Sequence, residues 1–518
     1  MKTRIDIISL KVGLYGKLNG GNIMKIRTII TQDAEVDDQN SLRHFLLYSN
    51  EVELQGIVQT SSKFHWRGVP GTTKKAVVLP GEFQPDGHDS APFDRPYRWT
   101  GTDWMFRVID DYEKDYKNLV KHADGYPAPD YLRSITKIGN VGYKGEVEAP
   151  TEGSELIRKA ILDADERTLY LQVWGGCNTI ARALMDIQAE YENTAQWPAL
   201  HEKLTEKIVI TACGEQDETY RTYIAEEWPG ILFVKTLQMQ SYAYTWFANP
   251  ECESKDTLRA EFMKREIMNG KSALADGYCT WLDGNYYEGE GAPGQFGTNP
   301  NITKEWFGAK MGLPMPEKYD FLSEGDSPTF FALFQWGFRT LEDFSYGGIA
   351  GRYHKVTGEI NSKGEPLNLW DVSKDLFTDR NGEVRLQESM WPYVADIQRD
   401  FAARVAWASA ESYEEGEHAP TVSVEEGLNL PAQAGQEIEI HAKASSPDGA
   451  TVQTTFRVYA DASAAWAADV SLEAQDNTAV LRIPTTAATG DQLHVIVKAQ
   501  AKGHHRLVHY QQVIITVG

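Results

Sequence analysis

Positive charge is scarce in this chain: 51 Lys and Arg stand against 74 Asp and Glu, a formal net charge of -23 at pH 7. That balance argues against a nucleic-acid polymer or an anionic membrane as partner. Cysteine is scarce too. Cys177, Cys213, Cys252 and Cys279 are widely spaced, with no CxxC pair and no zinc-like cluster. Cys177 and Cys213 lie beside apparent strands and read as buried thiols, while a disulfide between Cys252 and Cys279 stays open. Long apolar runs are missing, and none reaches the roughly 18 residues of a transmembrane helix. The stretch 1–23 has no apolar signal region or small-residue cleavage site. It reads as an N-terminal extension, with Met24 an alternative start.

What is present is enough for more than one core. A chain of 518 residues, 42% hydrophobic and 24% charged, falls in the soluble globular range with two or more domains as the expectation. Buried-strand patterns at Ile26–Ile30, Val52–Thr60, Leu169–Trp174, Lys207–Cys213 and Ile231–Thr236 alternate with helical patterns, among them Trp104–Val120, Ser154–Ala164 and Asn178–Tyr191. Strand, helix, strand at this spacing predicts an α/β domain with a mostly parallel open sheet over 24–411. Residues 412–422 are acidic and contain a proline, as a linker would. From 423 to 518 the pattern turns to period two, with turn signals such as Ser446-Pro447-Asp448-Gly449. This predicts an all-β sandwich of immunoglobulin type, without the Cys…Trp…Cys pattern of antibody domains.

The chemistry gathers at Thr31-Gln32-Asp33-Ala34-Glu35-Val36-Asp37-Asp38. Four acids within six residues follow a buried strand and precede a helix, which puts them at the carboxyl edge of the sheet, where such sheets bind ligands. Concentrated negative charge costs stability, and a hard divalent cation offsets it. The plainer reading is that Asp37 and Asp38 favour a helix N-terminus while Asp33 and Glu35 are solvated. Two later stretches could face the same edge: Gly175-Gly176-Cys177-Asn178 after a strand, and Glu324-Gly325-Asp326-Ser327-Pro328, whose Asp326 or Ser327 could equally cap a helix.

The segments TIITQDAEVDDQNSLRHFLLYSN, VWGGCNTIARAL, SEGDSPTFF and YGGIAGRY resemble the nucleoside-hydrolase-like domain family that is fused to a cellulose-binding-protein type C-terminal sandwich. The likeness spans nearly all of the chain from Met24 onward. It implies an α/β sheet of nucleoside hydrolase type and one Ca²⁺, and makes the family a distant relative of the inosine-uridine nucleoside hydrolases. By motif position it makes Asp33 a metal ligand and general base and Asp37 a contact to a sugar hydroxyl. Asp38 becomes a bidentate metal ligand, Asn178 a ligand through its backbone carbonyl, and Asp326 the late aspartate ligand. Thr31 stands where nucleoside hydrolases carry their first aspartate, Ala34-Glu35 replaces Pro-Gly, and Gly325 replaces a histidine that assists nucleobase departure.

Further substrate-binding candidates sit at strand ends or in the long loop 63–94. Ser62 and Gln216 follow strands, His65 is placed to protonate a leaving group, and Trp66 and Trp174 offer faces on which a sugar could stack. The expected function is metal-assisted hydrolysis of an N- or O-glycosidic bond in a furanose-like sugar, from a nucleoside or a glycan. The alternative is non-catalytic carbohydrate binding through the same cation. The family and its sandwich suggest a secreted or periplasmic setting, and the oligomeric state stays open.

Overall fold

Strand β1 (Ile26–Gln32) lies in the middle of an eight-stranded sheet and has no exposed residue. A computed structural model describes residues 25–75, 92–285, 289, 297–334 and 336–518, so the extension 1–23 and part of the long loop lie outside the described residues. The other strands are β2 (Val52–Gln59), β3 (Thr136–Ile138), β4 (Leu169–Val173), β5 (Ile208–Ala212), β6 (Leu232–Lys235), β7 (Tyr353–Lys355) and β8 (Leu369–Val372). Their order is 3-2-1-4-5-6-8-7, parallel throughout except between β7 and β8. Strands covered on both faces need no polar alternation, which is why β4 and β5 read as unbroken buried runs.

The helices are α1 (Val36–Leu46), α2 (Trp104–His122), α3 (Pro129–Ile135), α4 (Glu152–Leu162), α5 (Asn178–Tyr191) and α6 (Trp197–Lys207). One face of the sheet carries α4, α5 and α6 through Ile157, Ile180, Leu184 and Leu204. The other carries α1, α2 and an aromatic core that includes Trp246, Trp281 and Phe330. Thr151 starts α4 with a reciprocal cap, its hydroxyl accepting from the Ser154 N–H at 3.1 Å while its own N–H donates to Ser154 Oγ at 2.8 Å. The chain runs outward from β1 through β2 and β3, then returns to β4 on the other side. The sheet therefore changes winding direction between β1 and β4, the point at whose carboxyl ends open α/β sheets hold their ligands.

Several boundaries differ from the sequence expectation. Phe330–Trp336, apolar enough to read as a helix, holds only the end of one turn, α7 (Pro328–Phe331): beyond it the N–H groups of Leu333 and Phe334 take the tighter i−3 carbonyls of Phe330 and Phe331, and the chain turns away at Gly337, φ 89°. The stretch Met390–Glu411, whose pattern reads as one long helix, narrows to α8 (Val394–Trp407), since Pro392 sits in a separate tight turn before it. Helix α6 and the edge strands β7 and β8 were not anticipated. Among the described residues the four cysteines are buried thiols, and Cys252 and Cys279 form no disulfide.

Beyond a hairpin of β9 (Lys374–Thr378) and β10 (Val384–Glu388), two four-stranded sheets form the predicted sandwich. One holds β11 (Thr421–Val424), β13 (Glu437–Ser445), β16 (Thr478–Arg482) and β15 (Leu472–Gln475). The other holds β12 (Asn429–Ala432), β18 (Val508–Val517), β17 (Gln492–Ala501) and β14 (Val452–Val458). Ile440, Leu481, Val495, Val497 and Ile515 fill the space between them. β11 begins inside the stretch read as linker. The two domains meet through buried polar contacts, including Lys498 Nζ to Asp396 Oδ2 at 2.6 Å and Tyr459 Oη to Asp375 Oδ2 at 2.6 Å.

Candidate metal and sugar site

The acidic turn is closed by its own carboxylates. The Asp33 N–H donates to Asp38 Oδ1 at 2.9 Å, and Asp33 Oδ1 accepts from the Glu35 N–H at 3.1 Å. Between them Ala34 takes φ 79°, the left-handed region that costs a residue with a Cβ roughly 1–2 kcal/mol. A proline, fixed near -65°, could not stand here, so the replacement of Pro-Gly changes the path of the turn as well as its composition.

Helix α1 is buried from end to end although six of its eleven residues are Asp, Gln, Asn, Arg or His. Its polar stripe Asp37, Asn40, Ser41 and His44, at helical spacing, grips the loop 323–327. Asn40 Nδ2 donates to the carbonyls of Cys279 at 2.9 Å and Ser323 at 3.3 Å, and its Oδ1 accepts from the Cys279 N–H at 2.8 Å. Ser327 Oγ lies 3.1 Å from Ser41 Oγ, and His44 Nδ1 lies 2.8 Å from Glu324 Oε2. The hydroxyls of Tyr278 and Ser327 also bond Glu324. Sequence reasoning missed His44, Asn40 and Glu324, yet the stripe at 37, 40, 41 and 44 was visible as polarity on one helical face.

This clamp delivers Asp326 to the acidic turn. One carboxylate oxygen from each of Asp37, Asp38 and Asp326 lies within 4.8 Å of the other two. Burial first, then the neighbouring charges of Asp33, Asp326 and Asp37, hold the Asp38 carboxyl well above the usual carboxylate range. Burial and then Asp37 do the same to Asp326, against a hydrogen bond with the Cys213 thiol. Asp33 Oδ2 and Asp326 Oδ2 are buried and have no hydrogen-bond partner among the described residues. Buried carboxylate oxygens such as these two suit a hard divalent cation, which takes six to eight oxygens in irregular geometry. The converging trio therefore fits a hard divalent cation such as Ca²⁺, with Asp37 standing in it where the resemblance placed Asp33.

The floor of the crevice is main chain. A Cβ at Gly175 would sit 2.8 Å from Asp33 Cβ, and one at Gly176 would sit 2.2 Å from Asp217 Oδ2. On the far side, a Cβ at Gly325 would be 3.0 Å from Asp37 Oδ2. His65 joins the site from the loop after β2, its Nδ1 3.8 Å from Asp33 Oδ1 with both side chains fully buried.

Other expected residues serve the framework. The Asn178 side chain is spent on structure: Nδ2 donates to Ser61 Oγ at 3.0 Å, the Asn140 carbonyl at 2.9 Å and the Glu146 carbonyl at 3.0 Å, and Oδ1 accepts from Thr60. Its carbonyl lies in the first turn of α5, where the helix ladder uses it. Ser62 Oγ accepts from the Phe64 N–H at 2.8 Å and shapes the loop. Gln216 Nε2 ties together the carbonyls of Trp174 and Cys213 at the ends of β4 and β5. Neither tryptophan offers a face to a sugar, because both are fully buried. Trp66 stacks on Tyr97 at 4.5 Å and meets Phe93 edge-on, and its Nε1 donates to the Arg95 carbonyl at 3.1 Å. Trp174 packs against Phe45 and Phe330 and donates to Thr329 Oγ1 at 2.8 Å. Bulky aromatics at strand ends were better spent closing the core.

Comparison with known proteins agrees with this architecture. A family model described as "Cellulose-binding Sde182, nucleoside hydrolase-like domain" matches residues 27–353, and one described as "Cellulose-binding protein Sde0182, C-terminal domain" matches 437–517. No curated protein matches. Among solved structures, a nucleoside hydrolase-related hypothetical protein from Saccharophagus degradans, described as associated with carbohydrate metabolism, superposes with a TM-score of 0.67 at 24% identity. The match covers 95% of this chain and 100% of that one, and supports the fold. The effector protein XOO4466 reaches a TM-score of only 0.31 at 10% identity, over 79% of this chain and 100% of its own. Two domain models in the same order, one at each end of a shared fold, leave a single assignment: this chain belongs to the Sde182 cellulose-binding family, with its nucleoside hydrolase-like domain followed by its C-terminal domain.

Proposed function

We infer that the crevice between β1 and β4 binds a sugar through a hard divalent cation and hydrolyses its glycosidic bond. The observation that carries this reading is the convergence of Asp37, Asp38 and Asp326 within 4.8 Å at the point where the sheet changes direction. A cation held there would bind vicinal hydroxyls and neutralise the carboxylates. Asp33 would act as general base: its Oδ1 is held by the Glu35 N–H, while its Oδ2 has no partner among the described residues and can take a proton from water. His65, 3.8 Å from Asp33, would return a proton to the departing group. Asp37, at 6% exposure the least buried of the three clustered acids, would meet a sugar hydroxyl. The family's association with cellulose makes a plant-type glycan or glycoside a better substrate class than a free nucleoside, in keeping with Gly325 standing in place of the histidine that serves a nucleobase. It also favours a secreted setting, though no described helix is long and apolar enough to cross a membrane.

A second reading is sugar binding without turnover. It is favoured by the depth of the site, since Asp33 and His65 are 0% exposed. Asp33→Asn separates the two. If the protein is a hydrolase, the variant retains Ca²⁺-dependent sugar binding and stops releasing reducing sugar from furanosides and plant-cell-wall oligosaccharides. Wild-type protein that binds these sugars but releases none would leave binding as the function.

A further inference from the structure

A second cluster lies away from the acidic turn, where the two domains meet. Glu266 comes from the helical turn Met263–Ile267 of the α/β domain, and His504 and His505 from the turn between β17 and β18. One ligand atom of each lies within 4.8 Å of the other two. His504 Nε2 is 3.0 Å from Glu266 Oε2. Two ligands on one tetrahedral zinc, each bound at about 2.0–2.1 Å, stand roughly 3.4 Å apart, so this edge is nearly at ligating distance.

The surroundings orient these groups as a metal site requires. Glu417, from the segment joining the domains, accepts the backbone N–H of His504 at 2.6 Å and of His505 at 2.8 Å. Its Oε2 also lies 3.0 Å from His505 Nδ1. With Nδ1–H committed to that carboxylate, the lone pair of His505 resides on Nε2, the arrangement by which an outer carboxylate sets the tautomer of a ligating histidine. A Cβ at Gly503 would sit 2.8 Å from Glu417 Oε1, so the turn is drawn tightly over this residue. Both Glu266 oxygens face His504 Nε2, Oε1 at 3.1 Å and Oε2 at 3.0 Å, while Arg265 Nε donates to Oε1 at 2.6 Å and fixes the carboxylate. A cleft of about 400 Å³ opens beside the cluster, with room for a solvent ligand in a fourth position.

We propose that Glu266, His504 and His505 form an interdomain site for a borderline transition cation of the Zn²⁺ class, which staples the tip of the β17–β18 hairpin to the α/β domain. Two imidazoles with one carboxylate select such an ion over Ca²⁺ or Mg²⁺, which prefer all-oxygen shells. The site is therefore chemically distinct from the acidic crevice and does not depend on what that crevice does.

The test uses the full chain, stripped with chelator and titrated with Co²⁺ as a spectroscopic stand-in for Zn²⁺. Asp326→Asn serves as background, to silence the acidic crevice. One equivalent should produce the visible absorption of low-coordinate Co²⁺ with nitrogen ligands, and Zn²⁺ should displace it. His504 is 63% exposed, so His504→Ala folds without cost to the core, and it should lose the absorption. Glu417→Gln should weaken binding by about tenfold to a hundredfold, as loss of an outer-shell carboxylate does. Absorption that persists in His504→Ala, or no one-equivalent binding in the Asp326→Asn background, overturns the proposal.

Discussion

His44 Nδ1 and Glu324 Oε2 lie 2.8 Å apart with neither side chain exposed, and this contact joins the helix after β1 to the loop that carries Asp326. Removing His44 leaves the buried Glu324 carboxylate with only the hydroxyls of Tyr278 and Ser327 as donors. We therefore expect His44→Ala to cost on the order of 3 kcal/mol in unfolding free energy. Because the contact sets the position of Asp326, the same variant should also weaken Ca²⁺ binding by calorimetry. A variant that unfolds earlier yet binds Ca²⁺ as tightly as wild type would limit His44 to a packing role.

The acidic crevice should make stability depend on cation. Burial and mutual charge raise the Asp38 and Asp326 carboxyls in the folded state. A raised carboxyl penalises the folded form once pH exceeds the unfolded value, so cation-free protein should gain stability as pH falls toward the ordinary carboxylate range. Added Ca²⁺ should raise the Tm most at neutral pH. Asp326→Asn should raise the Tm of the cation-free protein and blunt the response to Ca²⁺ in a thermal melt.

The two buried tryptophans should report on folding. Trp66→Ala and Trp174→Ala each remove a large packed side chain and should cost about 3–5 kcal/mol. Trp174→Phe keeps most of the volume but loses the bond to Thr329, and should cost about 1 kcal/mol in denaturant melts. A loss of sugar affinity with unchanged stability would return either residue to the binding surface.

Acid should loosen the seam between the domains. His494 on β17 is fully buried, 3.1 Å from Gln512 Nε2 and edge-on to Tyr346. Burial first, then the nearby Arg339, pushes its pKa down from 6.5 to about 4. The unfolded chain therefore binds more protons than the folded one between these values. Stability is complete above about pH 6.5 and falls as pH drops toward 4, by about 3 kcal/mol. Urea melts of His494→Gln should show a shallower slope across that window than wild type.

The regular parts of this molecule were legible in its sequence. Parallel strands write themselves as short apolar runs, and the bounds of α5 were read as they stand. The acidic turn was also legible, because charge that dense at a strand end needs a purpose. What escaped depended on contacts distant in sequence. The helix at Pro328–Phe331 stops after one turn, and Trp336 beyond it pairs its carbonyl with the N–H of Tyr510, far along the chain. Trp66 and Trp174 offered no sign of whether they faced a ligand or a core. Asn178 sits at the expected strand end, and the partners of its side-chain amide, Ser61, Asn140 and Glu146, come from three other segments. A strand end gives a residue its location, while its bonding partners come from loops whose paths no local pattern records.

Because the crevice floor is backbone at Gly175 and Gly176, its shape is closed to adjustment by side-chain exchange. Any substituent there would displace Asp33 or Asp217, so drift or engineering must leave those two positions alone. New ligand preference has to be written elsewhere than at these two glycines. The domain thus has a fixed anvil, and a library aimed at a new sugar should hold Gly175 and Gly176 constant.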